Sequence, residues 1–292
     1  MSALAVGVPT AVVLGGSDAD PDRKPDQTVA TDPAPPGRTL PAGFHYESWH
    51  GVTIEVPDDW RYGAISQWCV GSGELSPPVI ERPGPSTLVG CLPHENGYGV
   101  RFQEIDNTED FYWPLAKQGS SWPADAWVGA HGLGGVLVEI SLPDINLAQQ
   151  ILDSAQINAA LDPNGCPIDD KSDPVVPGDA MSVCTYDGAG QLVNSELLTG
   201  SQVQDAEAAL DSTESAGNPA CTDVSSKDVV QTVRLASIAL DATLIEDPNC
   251  LQLTVHGEGR TVTEDVLYWA LSPGSGGSFP NDAPLPSEHR KR

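Results

Sequence analysis

Six cysteines, Cys69, Cys91, Cys166, Cys184, Cys221 and Cys250, constrain this chain more than any other feature. No Cys-x-x-Cys and no Cys/His pair at zinc spacing occurs among them, so they read as three disulfides. That reading places the folded body outside the reducing cytoplasm. Two of the six fall in residues 44–160 and four in 161–272. Pairing within each segment leaves Cys69 with Cys91 and three arrangements of the remainder. Cys166 with Cys184 and Cys221 with Cys250 are the preferred pairs, because each joins residues close in sequence.

The chain ends differ from the body. Ser2 to Gly16 is uncharged and apolar, and reads as the remnant of a signal or membrane anchor whose basic flank would precede Met1. Residues 17–43 carry six prolines among Asp, Thr and Ala and are expected to be a disordered linker, as is the Pro/Gly/Ser-rich tail 273–292. The whole chain has 41 Asp and Glu against 14 Lys and Arg, a formal charge of -27. Setting aside the six cations and seven acids of the ends leaves eight cations against 34 acids in the body. Such a body repels phosphate polymers and anionic lipid, which excludes nucleic acid as a partner and leaves membrane contact to the N-terminal segment alone.

Two folded segments are expected. In the first, Val52, Ile54 and Val56 alternate with Thr53 and Glu55 and stop at Pro57-Asp58-Asp59, ahead of Trp60. Further strands are expected at Ser86 to Cys91, Gly99 to Glu104 and Val136 to Leu142, the last half-buried. Asp144 is a candidate cap for a helix reaching Ala159, with Ile145, Ala148, Ile151, Leu152 and Ala155 at helical spacing. The run GVTIEVPDDW with the closing AQQILDSAQI resembles the PsbP-like α+β fold of extrinsic photosystem subunits and bacterial envelope lipoproteins. That resemblance covers residues 44–160 and implies a cell-envelope role, although the lipid-acceptor cysteine of the bacterial members is missing here.

In the second segment, strands are expected at SVCTY, Leu192 to Leu198, Asp228 to Ser237, Ala242 to Glu246 and Leu251 to His256. Helices should start at Ser201 and after Thr263. This order resembles a small disulfide-bonded domain of secreted or anchored actinobacterial envelope proteins of unassigned activity. The fold class expected is therefore α+β, with two domains, each a mostly antiparallel sheet with packed helices.

Catalytic signatures are missing: no nucleophile elbow, no phosphate-binding Gly-rich loop and no His-Glu-x-x-His occurs. His131 to Gly135 reads as a flexible lead into the Val136 strand. Asp18, Asp20, Asp22 and Asp26 have calcium-loop spacing, but Arg23 and Val29 occupy positions that need Gly and a bidentate acid. His45, His50, His94 and His131 lack ligand spacing, and Asp58-Asp59 and Asp169-Asp170 mark turns. No cofactor or metal is expected. Six of the seven tryptophans lie between residues 44 and 127. Most of these aromatics should build a core, with Trp60 an interior anchor. Trp113, Trp122 and Trp127 fall in a stretch with Pro114, Gly119 and Pro123 that breaks regular structure, and are the candidate binding groove for a sugar, peptide or protein.

These features favour an extracytoplasmic, envelope-associated binding or sensing protein without catalytic activity, whose envelope ligand is unknown. The alternatives are a hydrolase of unrecognised type and the extracytoplasmic part of an anti-sigma-like membrane regulator.

Overall fold

Alternation of apolar and polar side chains over short runs makes strand the main regular structure of this chain, as the computed structural model bears out. The structure describes residues 40–62, 65–68, 78–83, 93–118, 122–216, 231–247 and 250–271, all in the unit that begins at Thr39. The N-terminal apolar run, the linker up to residue 39, the strand expected at Ser86 to Cys91, the tail, and Cys69, Cys91 and Cys221 lie outside the described residues. So do the side chains of His94 and Cys250.

The first segment contributes β1 (Phe44–Trp49), β2 (Val52–Pro57), β3 (Arg61–Tyr62), β4 (Ser66–Trp68), β5 (Val79–Glu81), β6 (Pro93–Asn96), β7 (Gly99–Glu104), β8 (Phe111–Lys117), β9 (Trp127–Leu133), β10 (Val136–Leu142), α1 (Ile145–Ser154) and β11 (Gln156–Ile157). The second contributes β12 (Met181–Asp187), β13 (Leu192–Leu198), α2 (Ser201–Asp211), β14 (Gln231–Ala236), β15 (Asp241–Asp247), β16 (Cys250–Val255), β17 (Glu258–Arg260) and α3 (Glu264–Ala270). One antiparallel sheet runs β11-β2-β1-β13-β12-β14-β15-β16-β17. It crosses from the first segment to the second where β1 pairs with β13, Ser48 opposite Ser195 and Trp49 opposite Asn194. A six-stranded sheet runs β3-β5-β7-β10-β9-β8, and β4 pairs with β6.

Register assigns each face of the long sheet a different cover. Trp49, Val52, Ile54 and Val56 turn to one face and pack with Phe102, Val138, Ile140, Ile151 and Leu152 of the six-stranded sheet and α1. Farther along that same face, Met181, Val183, Val233, Leu244 and Leu253 form a second core with α2 and α3. The opposite face carries Ser48, Thr53, Cys184 and Ser195, and residues 158–175 lie across it as a strap. Two separate hydrophobic cores, residues 49–152 and 181–271, thus share one sheet face.

Several local expectations are met. Thr263 caps α3 by accepting the Val266 N–H, and α2 turns Val203, Ala206 and Leu210 inward. Asp144 caps α1 through the Asn146 and Leu147 N–H groups. Trp60 lies in the core, and Cys166 is bonded to Cys184. Others need correction. Helix α1 ends at Ser154 and not at Ala159, because Ala155 turns extended and Gln156 and Ile157 pair with Thr53 and Val52 of β2. Strands β2 and β10 are buried on both faces, Thr53 lying under the strap where Asn158 bonds it and Ser141 fully buried. His131 to Leu133 belong to β9, and Gly134 and Gly135, at φ 59° and 85°, make the tight turn into β10. That segment is a hairpin, and no flexible lead exists.

Candidate functional site

Edge position decides which aromatics meet solvent. Strand β8 is the outermost strand of the six-stranded sheet, and no strand pairs with its other side among the described residues. Tyr112 is 41% exposed and Trp113 56%. Trp113 therefore sits on a regular strand, contrary to the loop placement expected from its Pro- and Gly-rich surroundings. Only Trp122 keeps that placement, since Trp127 opens β9.

Register separates the three candidates. Trp113 pairs with Ala130, Ala130 with Glu139 and Glu139 with Arg101, so this row shares one face. Trp122 joins it from above, its ring 5.7 Å from the Arg101 guanidinium carbon. Arg101 Nε donates to Glu139 Oε2, and Nη2 forms an ion pair with the same oxygen. Trp113 itself stands 5.4 Å from the Phe111 ring, and Phe111 lies so close over Gly132 that a Cβ there would enter its van der Waals envelope. Trp127, paired with Leu142 and Lys117, falls on the opposite face. Lys117 Nζ lies 4.7 Å from the Trp127 ring and donates to the Asp125 carbonyl. Tyr98 donates to Asp125 Oδ1 at 2.6 Å; its phenol, pushed up to about 12 by burial and by that carboxylate, stays protonated. Trp113 and Trp122 are thus brought to one face, and Trp127 is not.

Two residues that the sequence reading missed complete this edge. Tyr112 projects to the α1 side, where Gln149 Nε2 donates to its hydroxyl at 2.7 Å. Ile145, one helical turn before Gln149, is 39% exposed. The signal was present: an aromatic run interrupted by Pro114 has the composition of an edge strand.

A second polar cluster is enclosed. Asp162 in the strap accepts from Cys166 N at 2.8 Å and from Ser195 Oγ, and Asn164 Nδ2 donates to the same hydroxyl at 3.0 Å. Asn158 reaches Thr53 Oγ1 at 2.8 Å, and Ser182 donates to the Asn164 carbonyl at 2.6 Å. Asp162 and Ser195 are each 1% exposed. The pair lies beyond a substrate's reach and fastens the strap to the sheet. Among the described residues no three His, Cys, Asp or Glu side chains are grouped to hold a metal, and no helix is long and apolar enough to cross a membrane. His45 sits 3.4 Å from Asp58, and His131 Nδ1 lies 3.2 Å from the Leu152 carbonyl. Burial lowers the pKa of His50.

Burial pushes the Asp162 carboxyl above its ordinary range, against the opposing hydrogen bonds from Ser195 and Cys166 N. A raised native pKa means that the folded state binds this proton more tightly than the unfolded chain. Its contribution is therefore fully present below the unfolded carboxyl value, about 4, and is lost as pH rises through the native one. Asp162→Asn removes the titration. The stability of the wild type relative to this variant is expected to be greatest below about pH 4 and to decline as the pH rises above it in denaturant melts. A relative stability that rose with pH would overturn the assignment.

No family model matches the chain, and neither does any curated protein or any solved structure.

Proposed function

We propose that this chain is an extracytoplasmic, envelope-associated binding or sensing protein without catalytic activity, meeting the membrane only through its N-terminal segment. Its body is proposed as two α+β parts, the first PsbP-like and the second akin to the disulfide-bonded actinobacterial domain. The two hydrophobic cores on one sheet face support that division, and the buried Cys166–Cys184 disulfide supports an oxidising compartment.

The observation that carries the binding role is the 56% exposure of Trp113 on a regular edge strand. An indole held on a rigid element costs solubility unless something covers it, and such residues dominate recognition surfaces. Trp113→Ala is expected to shift folding stability by less than about 0.5 kcal/mol, the range of surface substitutions. Trp60→Ala, in the core, should cost about 3 to 5 kcal/mol. Titration with envelope glycans, peptides and lipids, followed by tryptophan fluorescence, should give a saturable change with one class that Trp113→Ala abolishes. Turnover of any member of that panel, or a response unaltered in the variant, would replace this reading.

A further inference from the structure

We propose that the edge formed by Tyr112, Trp113 and Ile145 is a docking site for a basic, partly apolar polypeptide segment, an inference that rests on the binding role above and names its partner. Six large apolar side chains are strongly exposed among the described residues: Tyr112, Trp113, Ile145, Ile157, Val175 and Ile238. Three of them border β8. Tyr112 and Ile145 flank the α1 side of that strand and Trp113 its other side, so the edge is an apolar ridge with two shoulders. A ridge suits a polymer that wraps it, where a small molecule would need a cavity.

Strand β8 also governs how a partner is held. Pro114 lacks an N–H, and a bulge interrupts pairing between Trp113 and Ala116. Continuous strand addition is thereby discouraged, and side chains carry the contact. The rim decides the charge. Glu109 and Asp110 precede β8, Asp144 precedes Ile145, and Asp153 accepts from the same Gln149 amide that bonds Tyr112, at 2.7 Å. Helix α1 contains no cation, and the one cation of β8, Lys117, is engaged by the Asp125 carbonyl and the Trp127 ring. An apolar centre with an acid rim is complementary to a segment that mixes Lys or Arg with apolar residues. Anionic glycans and lipids are repelled. A neutral glycan needs polar groups converging beside the stacking ring, whereas on the Trp113 face Arg101 and Glu139 bond each other.

The test uses the full chain and fluorescence anisotropy of a labelled peptide of alternating lysine and leucine. Its glutamate-for-lysine counterpart, chitohexaose and phosphatidylglycerol vesicles serve as competitors. Trp113→Ser and the double variant Tyr112→Ser/Ile145→Ser should each weaken binding about tenfold or more, as truncation of anchor residues does. Ile238→Ser, exposed on the β14–β15 turn of the other sheet, should leave it unchanged, and about 0.2 M salt should weaken it. Circular dichroism melts matching the wild type establish that the variants are folded. Equal affinity in Trp113→Ser, or equal binding of the acidic peptide, overturns the proposal. Capture of chitohexaose or vesicles through Trp113 without peptide binding overturns the partner while leaving the binding role standing. No response from any probe overturns both.

Discussion

Replacing Arg82 with methionine is expected to destabilise the protein by about 3 to 5 kcal/mol, the cost of stranding one partner of a buried ion pair. Arg82 and Glu47 have side chains 2% and 1% exposed, and Arg82 Nε donates to Glu47 Oε1. Tyr62 donates to the other carboxylate oxygen at 2.9 Å, and the guanidinium lies 5.1 Å from the Tyr62 ring centroid. Arg82 Nη2 also reaches the Ser195 carbonyl at 3.4 Å, tying the end of β5 to β13. Burial alone would lower the Arg82 pKa, but Glu47 outweighs it and the guanidinium stays charged; burial, reinforced by Glu47, raises that of Tyr62. Without Arg82, Glu47 remains buried with Tyr62 and near Glu196. The double variant Arg82→Met/Glu47→Leu should regain most of the loss, because apolar replacement of both partners is often neutral or stabilising. Urea unfolding of the two single variants and the double one measures this. If Arg82→Met costs less than about 1 kcal/mol, water enters the cluster and the buried-pair account fails.

Loss of the Cys166–Cys184 bond should cost about 3 kcal/mol, the loop-closure value for its sequence separation of 18. Both cysteines are fully buried beside Tyr186 and Leu192. The bond fastens the strap at its centre, with Asp162 and Asn164 on one side and, on the other, Arg234 donating to the Ser172 carbonyl and to Asp173 at 2.7 Å each. Thermal and urea melts of Cys166→Ala/Cys184→Ala should show the loss together with faster proteolysis in residues 158–175. A loss below about 1 kcal/mol would mean that the hydrogen bonds alone hold the strap down.

Local signals were reliable where the structure depends on neighbours in sequence. Thr263 and Asp144 announced their helices because a cap is satisfied by N–H groups two or three residues on. Strands β7 and β13 lie where their alternation predicted, and Cys166 found Cys184 across a short loop. The end of α1 was not legible, because pairing of Gln156 with Thr53 of a distant strand outbids another helical turn. Trp113 was expected on an irregular loop, yet it lies on a regular strand, and nothing local distinguished its exposure from that of Trp127.

By itself, then, the sequence determined the strands and helices with sharp periodicity and caps, the short-range disulfide, and a strongly acidic net charge. Tertiary structure alone decided that β1 joins β13, that β2 and β10 are covered on both faces, and that β8 stands at an edge with Trp113 and Tyr112 uncovered. The physical reason is range. Caps and periodicity act within one or two turns of chain, whereas burial of a strand face depends on which distant segment is laid across it.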